Sequence, residues 1–300
     1  MSLDVQNVSI DRSGRRIVSD ITLQIAPGEV VAIAGPNGSG KSTLLGAISG
    51  ELKCVNGHVL IEGKSIEEWD LEALARQRAV LLQESPLSFP FNVIDVVLMG
   101  RSAHHQGIET DRDIQIADEA IRMVGLHGFE ARKYTQLSGG EKQRVHLARV
   151  LSQVWHDDAA VEGRPTIDDT PINANPTTEQ NLSVEQNSQR PMQPKYLILD
   201  EPTSSQDMAA QHLVLSSART FANQGVGVLC VLHDLNQAAQ YADRVLLLSE
   251  GKMASLGTPR EVLTPDILGQ VYGLPVRVLD HEDYPYPIVL SHPNQHEAVN

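Results

Sequence analysis

Cysteine is nearly absent: Cys54 and Cys230 are the only two in 300 residues. Two thiols without metal-ligand spacing build neither a disulfide framework nor a zinc site. Both read as small buried hydrophobes. Aromatic residues are scarce at 4%, and none precedes Trp69. Long hydrophobic runs are missing too; a stretch such as Gly225 to Leu232 falls far short of the ~18 residues that span a bilayer. The start, MSLDVQNVSI, has neither the basic opening nor the apolar centre of an export signal, so a cytosolic protein is expected. Positive charge is in short supply: 24 Lys+Arg face 38 Asp+Glu, for a net charge of −14. Phosphate backbones select basic surfaces, so nucleic acid is not expected as a partner.

What remains is ordinary globular composition, 41% apolar and 21% charged. A chain of this length buries roughly three quarters of its unfolded surface and needs no staples. The first 33 residues read as short strands. Val30 to Ala34 is apolar throughout, which suits a central parallel strand covered on both faces. Tyr196 to Asp200, Val226 to Leu232 and Arg244 to Leu248 read the same way. Helical spacing marks Thr43 to Ile48, Val93 to Val97 and Ile114 to Val124. Strands alternating with helices predict an α/β fold around a parallel sheet. Residues 156–194 differ in kind. They carry seven acidic and two basic residues and almost no large apolar side chain, too little to offset the entropy of ordering. This segment is expected to be a solvated insertion.

The nine residues Gly35, Pro36, Asn37, Gly38, Ser39, Gly40, Lys41, Ser42 and Thr43 fit G-x-x-x-x-G-K-[ST], between an apolar strand and a helix. Gly38 and Gly40 permit the backbone to turn successive N–H groups inward as an anion nest. The helix beginning near Lys41 aims its positive end at the same point. Lys41 supplies charge for β- and γ-phosphates, and Ser42 a hydroxyl for Mg²⁺. Asp200 and Glu201 close a buried strand, where open α/β sheets bind ligands. Asp200 is expected to hold Mg²⁺ and Glu201 to polarise the attacking water.

No N-K-x-D guanine-reading motif occurs, which disfavours a GTPase. Ser138 and Glu141 form an S-x-x-E capping box. Gly139 and Gly140 leave the following helix start bare, with its N–H groups free to face an anion. A second anion site beside one phosphate loop suggests that this helix serves the nucleotide of a second copy.

In this the chain resembles the ATP-binding subunits of ABC transporters, with six motifs in order. Gly35 to Thr43 matches the Walker A loop, Gln83 the Q-loop and Leu137 to Glu141 the LSGGE signature. Leu197 to Glu201 matches Walker B with its catalytic glutamate, Ser204 to Asp207 the D-loop, and His233 the switch histidine. The resemblance implies a P-loop NTPase of α/β class: a RecA-like parallel core, an N-terminal antiparallel β subdomain and an α-helical subdomain. It implies residues 1–85 as β subdomain plus phosphate loop, 86–152 as helical subdomain, 153–194 as insertion, 195–270 as the rest of the core and 271–300 as a C-terminal extension. It further implies a head-to-tail homodimer that hydrolyses ATP with Mg²⁺. Each ATP would lie between one phosphate loop and Ser138, Gly139, Gly140 and Asp207 of the other copy. Ser42, Gln83 and Asp200 would serve Mg²⁺; Glu201, His233, Lys41 and Gln83 would carry the catalysis.

Pro86 to Val93 and Val97 to Arg101 look like the importers of iron chelates and cobalamin, and Ala148 to Trp155, with the ending Val262 to Pro265 through Tyr272 to Val276, looks more specifically like the heme importers. That likeness implies two transmembrane permease subunits docking near Gln83, a periplasmic heme-binding protein acting indirectly, and a peripheral place on the cytoplasmic face of the bacterial inner membrane. A ferric siderophore or cobalamin remains open as cargo. A soluble ABC ATPase acting on nucleic acid or the ribosome is the distant alternative. The family usually stacks adenine on an aromatic residue near the N-terminus. Here Arg12 stands near that position, and a guanidinium can stack on a base. The D-loop departs from its usual Ser-Ala-Leu-Asp, reading Ser204-Ser205-Gln206-Asp207. The eleven histidines, His104-His105 included, are not read as heme ligands, because in the family the cargo passes through the membrane partners.

Overall fold

The apolar runs become the strands at the centre of the molecule. A computed structural model describes residues 1–83, 87–105, 107–156, 194–204 and 206–291. The central sheet contains β3 (Val30–Ala34), β6 (Arg78–Leu81), β7 (Tyr196–Asp200), β8 (Gly227–Val231), β9 (Arg244–Ser249) and β10 (Lys252–Gly257), in the order β10-β9-β3-β8-β7-β6. All neighbours from β9 to β6 are parallel, and β10 adds an antiparallel edge.

Alternation along these strands divides the interior into two cores. Val31 and Ile33 of β3 face one and Ala32 and Ala34 the other; Ile198 and Leu199 of β7 divide likewise. The first core is closed by α1 (Lys41–Ile48) and by an antiparallel sheet in the order β2-β1-β4-β5. Its strands are β1 (Leu3–Arg12), β2 (Arg15–Ile25), β4 (Asn56–Ile61) and the short β5 (Lys64–Ser65). In place of several short strands, β1 and β2 run for 10 and 11 residues. Ser13 and Gly14, both at positive φ, form the two-residue turn that lets them do so.

On the second face lie α3 (Val93–Leu98), α4 (Asp111–Met123), α5 (Gly139–Gln153), α6 (Met208–Asn223) and α7 (Leu235–Tyr241); α2 (Leu71–Gln77) precedes β6. Val145, Ala148 and Leu151 of α5 are fully buried. Within this helical layer Arg101 and Asp113 form a buried ion pair at 2.9 Å, and Arg101 also donates to the Ser152 carbonyl. That pairing draws the Asp113 carboxyl to about 2 against the opposing effect of burial, with Thr110 and Arg101 as its donors.

The chain continues through α8 (Pro259–Val262) and α9 (Pro265–Tyr272) to a hairpin of β11 (Val276–His281) and β12 (Tyr284–Ser291). The Asn236 side chain fastens this hairpin to α7, donating to the Val289 carbonyl at 3.2 Å and accepting from its N–H at 2.8 Å. Of the two cysteines, Cys230 is buried in β8, whereas Cys54 is only half-buried, because it lies in the surface segment after α1. Residues 157–193 of the acidic stretch lie outside the described residues. On either side of them, Lys195 Nζ donates to the Trp155 carbonyl at 2.6 Å.

Candidate functional site

Four neighbouring parallel strands deliver the site at their carboxyl ends. Gly35 follows β3, Gln83 follows β6, Asp200 ends β7 with Glu201 next, and His233 follows β8. Ligands of open α/β sheets bind at this edge, because the strand ends and helix starts leave main-chain groups unpaired there.

The loop after β3 requires its glycines. Gly35 has φ +146°, and a Cβ there would stand 2.2 Å from the Leu248 carbonyl oxygen. Gly40, at φ +101°, is the N-cap of α1 and places no side chain over the helix start. The first N–H groups of α1 therefore have no side-chain cap and are available to an anion. Gly251 holds the loop from behind: its N–H donates to the Ser39 carbonyl at 3.0 Å, and its own carbonyl accepts from Ser19 N–H at 2.8 Å. Strand β2 thus passes directly beside the phosphate loop. Arg12, one turn before β2, is exposed.

Lys41 is folded back onto its own loop, donating to the carbonyls of Gly35 at 2.9 Å and Pro36 at 3.0 Å. Burial lowers the pKa of its ammonium below the usual lysine range, while Glu201 and Asp200 pull it the other way. Asp200 is 7% exposed. Burial, then the charges of Glu201 and Glu51, push its carboxyl up to about 6. Its Oδ1 and the hydroxyl of Ser39 are buried with no hydrogen-bond partner among the described residues. An unpaired, acceptor-only oxygen among further carboxylates suits a hard divalent cation, and a buried hydroxyl in the nest suits a phosphate oxygen. Ser42, the second residue of α1, is exposed on the same loop.

Three of the residues singled out in the sequence meet on one carboxylate. His233 Nε2 lies 2.6 Å from Glu201 Oε1, and Gln83 Nε2 donates to Oε2 at 3.0 Å. Glu201 itself has φ +48°. A non-glycine residue holds that left-handed conformation only where its surroundings impose it.

The capping box at α5 is present. Ser138 Oγ accepts from Glu141 N–H at 3.3 Å, and Glu141 Oε2 accepts from Ser138 N–H at 2.7 Å. The Ser138 N–H and hydroxyl lower the Glu141 carboxyl below its usual range. Ser138 and Gly139 are exposed, and a Cβ on Gly139 would meet no atom within 4 Å. Asp207 caps α6 by accepting from Ala210 N–H at 2.8 Å and is also exposed. Within one chain, then, Ser138 to Gly140 and Asp207 are not drawn onto the carboxylate that Gln83 and His233 hold.

The sequence reading passed over Gln143, which donates to the Glu201 carbonyl at 3.2 Å. It passed over Glu51, which lends charge to Asp200. Gln143 lies within the helix already singled out, and its place on the inward side of the capped turn was the available signal. Nothing local marks Glu51.

The ABC transporter family profile matches residues 18–154. A hemin import ATP-binding protein, HmuV, of Gloeobacter violaceus is 42% identical over 96% of this chain and 93% of its own length. Among solved structures, a metal-chelate type ABC transporter in an inward-facing conformation superposes with a TM-score of 0.73 at 24% identity, covering 98% of both chains. A dimeric, post-hydrolysis ATP-binding cassette, MJ0796, bound to ADP and Pi, gives 0.65 at 22% identity over 86% of this chain and 99% of its own.

Proposed function

This chain belongs to the ABC transporter family of ATP-binding proteins, and from that premise we propose that it hydrolyses ATP to drive heme import across the bacterial inner membrane. The observation that carries the catalytic part is the Glu201 carboxylate, held by Gln83 and His233 at the sheet edge that also carries the phosphate loop and Asp200. What supports heme as cargo is the likeness, over nearly the whole chain, to a hemin import protein.

On ATP binding, Lys41 exchanges the carbonyls of Gly35 and Pro36 for the β- and γ-phosphates, and the N–H groups of α1 take the remaining charge. Stabilising the transferring group in this way is the main task in phosphoryl transfer. Ser42, Gln83 and Asp200 would hold Mg²⁺, which when bound neutralises charge on the phosphates. Glu201 takes the proton of the attacking water. His233 fixes the carboxylate through Oε1 and senses the γ-phosphate; Gln83 fixes it through Oε2. Arg12, on the hairpin beside the phosphate loop, stacks on the adenine. Ser138, Gly139, Gly140 and Asp207 serve the ATP of a second copy.

Two permease subunits dock beside Gln83. Phe89, 70% exposed, and Phe91, 37% exposed, follow it closely and pair with ring centroids 6.1 Å apart, an apolar patch suited to a membrane subunit. Among the described residues no helix is long and apolar enough to cross a membrane, in keeping with a peripheral place on the cytoplasmic face. A periplasmic heme-binding protein would feed the permease from the other side.

The test is ATP hydrolysis by this chain assembled with its permease in vesicles. Heme-loaded binding protein is expected to raise turnover severalfold, and cobalamin or ferric siderophore to leave it unchanged. Stimulation by either of these and not by heme contradicts the cargo while leaving the ATPase reading in place.

A further inference from the structure

Four glutamine side chains lace the loop that carries Glu201. Gln143, the fifth residue of α5, donates through Nε2 to the Glu201 carbonyl and to the Ser204 hydroxyl, both at 3.2 Å. Gln206 donates to Gln143 Oε1 at 3.0 Å and to the Pro202 carbonyl at 3.1 Å. Gln211 in α6 donates to the carbonyls of Thr203 at 3.3 Å and Gln206 at 3.1 Å. Gln237 in α7 donates to Gln211 Oε1 at 2.7 Å and accepts from the Thr203 hydroxyl at 3.2 Å. The carbonyls of residues 201, 202, 203 and 206 are each taken by a side-chain amide.

This lattice joins three helix starts. Helix α5 opens with Ser138 to Gly140, α6 is capped by Asp207, and α7 follows His233. Its members are partly buried, where hydrogen bonds polarise one another and compete less with water. Glu201 sits at φ +48°, so its main chain is held by what surrounds it, and Gln143 is bonded to that main chain directly. A leucine at 206 would offer no amide to Gln143. The main chain of Glu201 is therefore tied to α5 through the Gln143 amide.

We propose that Gln143 is a positioning residue that makes hydrolysis at one nucleotide depend on engagement of the other. When ATP of the second copy seats on Ser138 to Gly140, the displacement of α5 passes through Gln143 and Gln206 to the Glu201 main chain. The carboxylate is thereby set against its own water. This inference rests on the reading that two copies share their nucleotides.

The experiment compares Gln143→Leu, Gln206→Leu and the double variant as purified full-length chains, over a range of ATP concentration. Gln143→Leu is expected to lower kcat about five- to tenfold, the scale of one hydrogen bond in a transition state. Its Hill coefficient is expected to fall toward 1, with ATP affinity of the dilute single chain unchanged. Gln206→Leu should move both in the same direction by a smaller factor, and the double variant should be no worse than Gln143→Leu, since the two act through one link. Gln206 lies in a loop, so its kinetics decide the matter if Gln143→Leu melts early. Unchanged kcat and cooperativity, a rise in KM alone, or additive losses overturn the proposal. ATP-driven pairing is read separately in Glu201→Gln. Failure to pair there, in solution and on the assembled permease, overturns the shared-nucleotide reading, whereas normal pairing with unaltered cooperativity in Gln206→Leu overturns the relay alone.

Discussion

Asp200 must carry a negative charge where burial resists one. In the unfolded chain an aspartate ionises near 3.8, and in this fold near 6. Below pH 4 both states hold the proton and the site has no cost. As pH rises from 4 to 6 the unfolded chain gives up the proton while the fold still holds it, a loss of roughly 2–3 kcal/mol that is complete above 6. Asp200→Asn is therefore expected to melt above the wild type at pH 8 without nucleotide, to match it at pH 4, and to hydrolyse no ATP. Thermal denaturation at the two pH values checks this; equal melting at pH 8 contradicts it. Much at this scale was legible, because Lys41, Ser42, Asp200 and Glu201 follow from the chemistry of phosphate and metal. The φ of Glu201 was not, since the loop around it is held by residues remote in the chain, Gln143 among them.

On the proposed reading, helix α5 is built for a second copy. Its capping box closes the first turn from the side, and Gly139 leaves the end open. A Cβ at 139 meets no atom within 4 Å among the described residues, and at the first helical position the charge of an aspartate favours the helix by a few tenths of a kcal/mol. Gly139→Asp is thus expected to melt no lower than the wild type. Its carboxylate would occupy the place of a phosphate, so ATP hydrolysis should fall roughly a hundredfold or more, about 3 kcal/mol of barrier. A variant that loses stability, or one that keeps its activity, contradicts the role given to this helix start. Spacing found α1, α3 and α4 within about three residues of their observed bounds, and the capping box marked the start of α5. Spacing gave no sign of the hairpin β11–β12, whose strands mix Asp, His, Pro and Tyr and are held largely by packing and by Asn236 on α7.

Across the whole molecule the strand order does the assembling. Residues 35, 83, 200, 201 and 233 are scattered along the chain, and the sequence β3-β8-β7-β6 brings them to one edge. The parallel class of the sheet was legible from its apolar strands, but strand order was not. Pairing between distant strands leaves no local trace. The acidic stretch is the opposite case, plain in composition and remote from this edge in the chain's connectivity. Because Lys195 bonds Trp155, the chain leaves and re-enters the described fold at neighbouring points. Removing residues 158–190 is expected to leave ATP turnover within about twofold, since closing a short loop costs little; an inactive product contradicts this. The central claim is that two copies clamp two ATP molecules, each supplying residues 138–140 to the other's phosphates. The most direct test is the solution mass of Glu201→Gln by light scattering, with and without ATP and Mg²⁺. The account predicts a stable dimer with nucleotide and a single chain without it. Single chains under both conditions, together with unpaired subunits on the assembled permease, would contradict it.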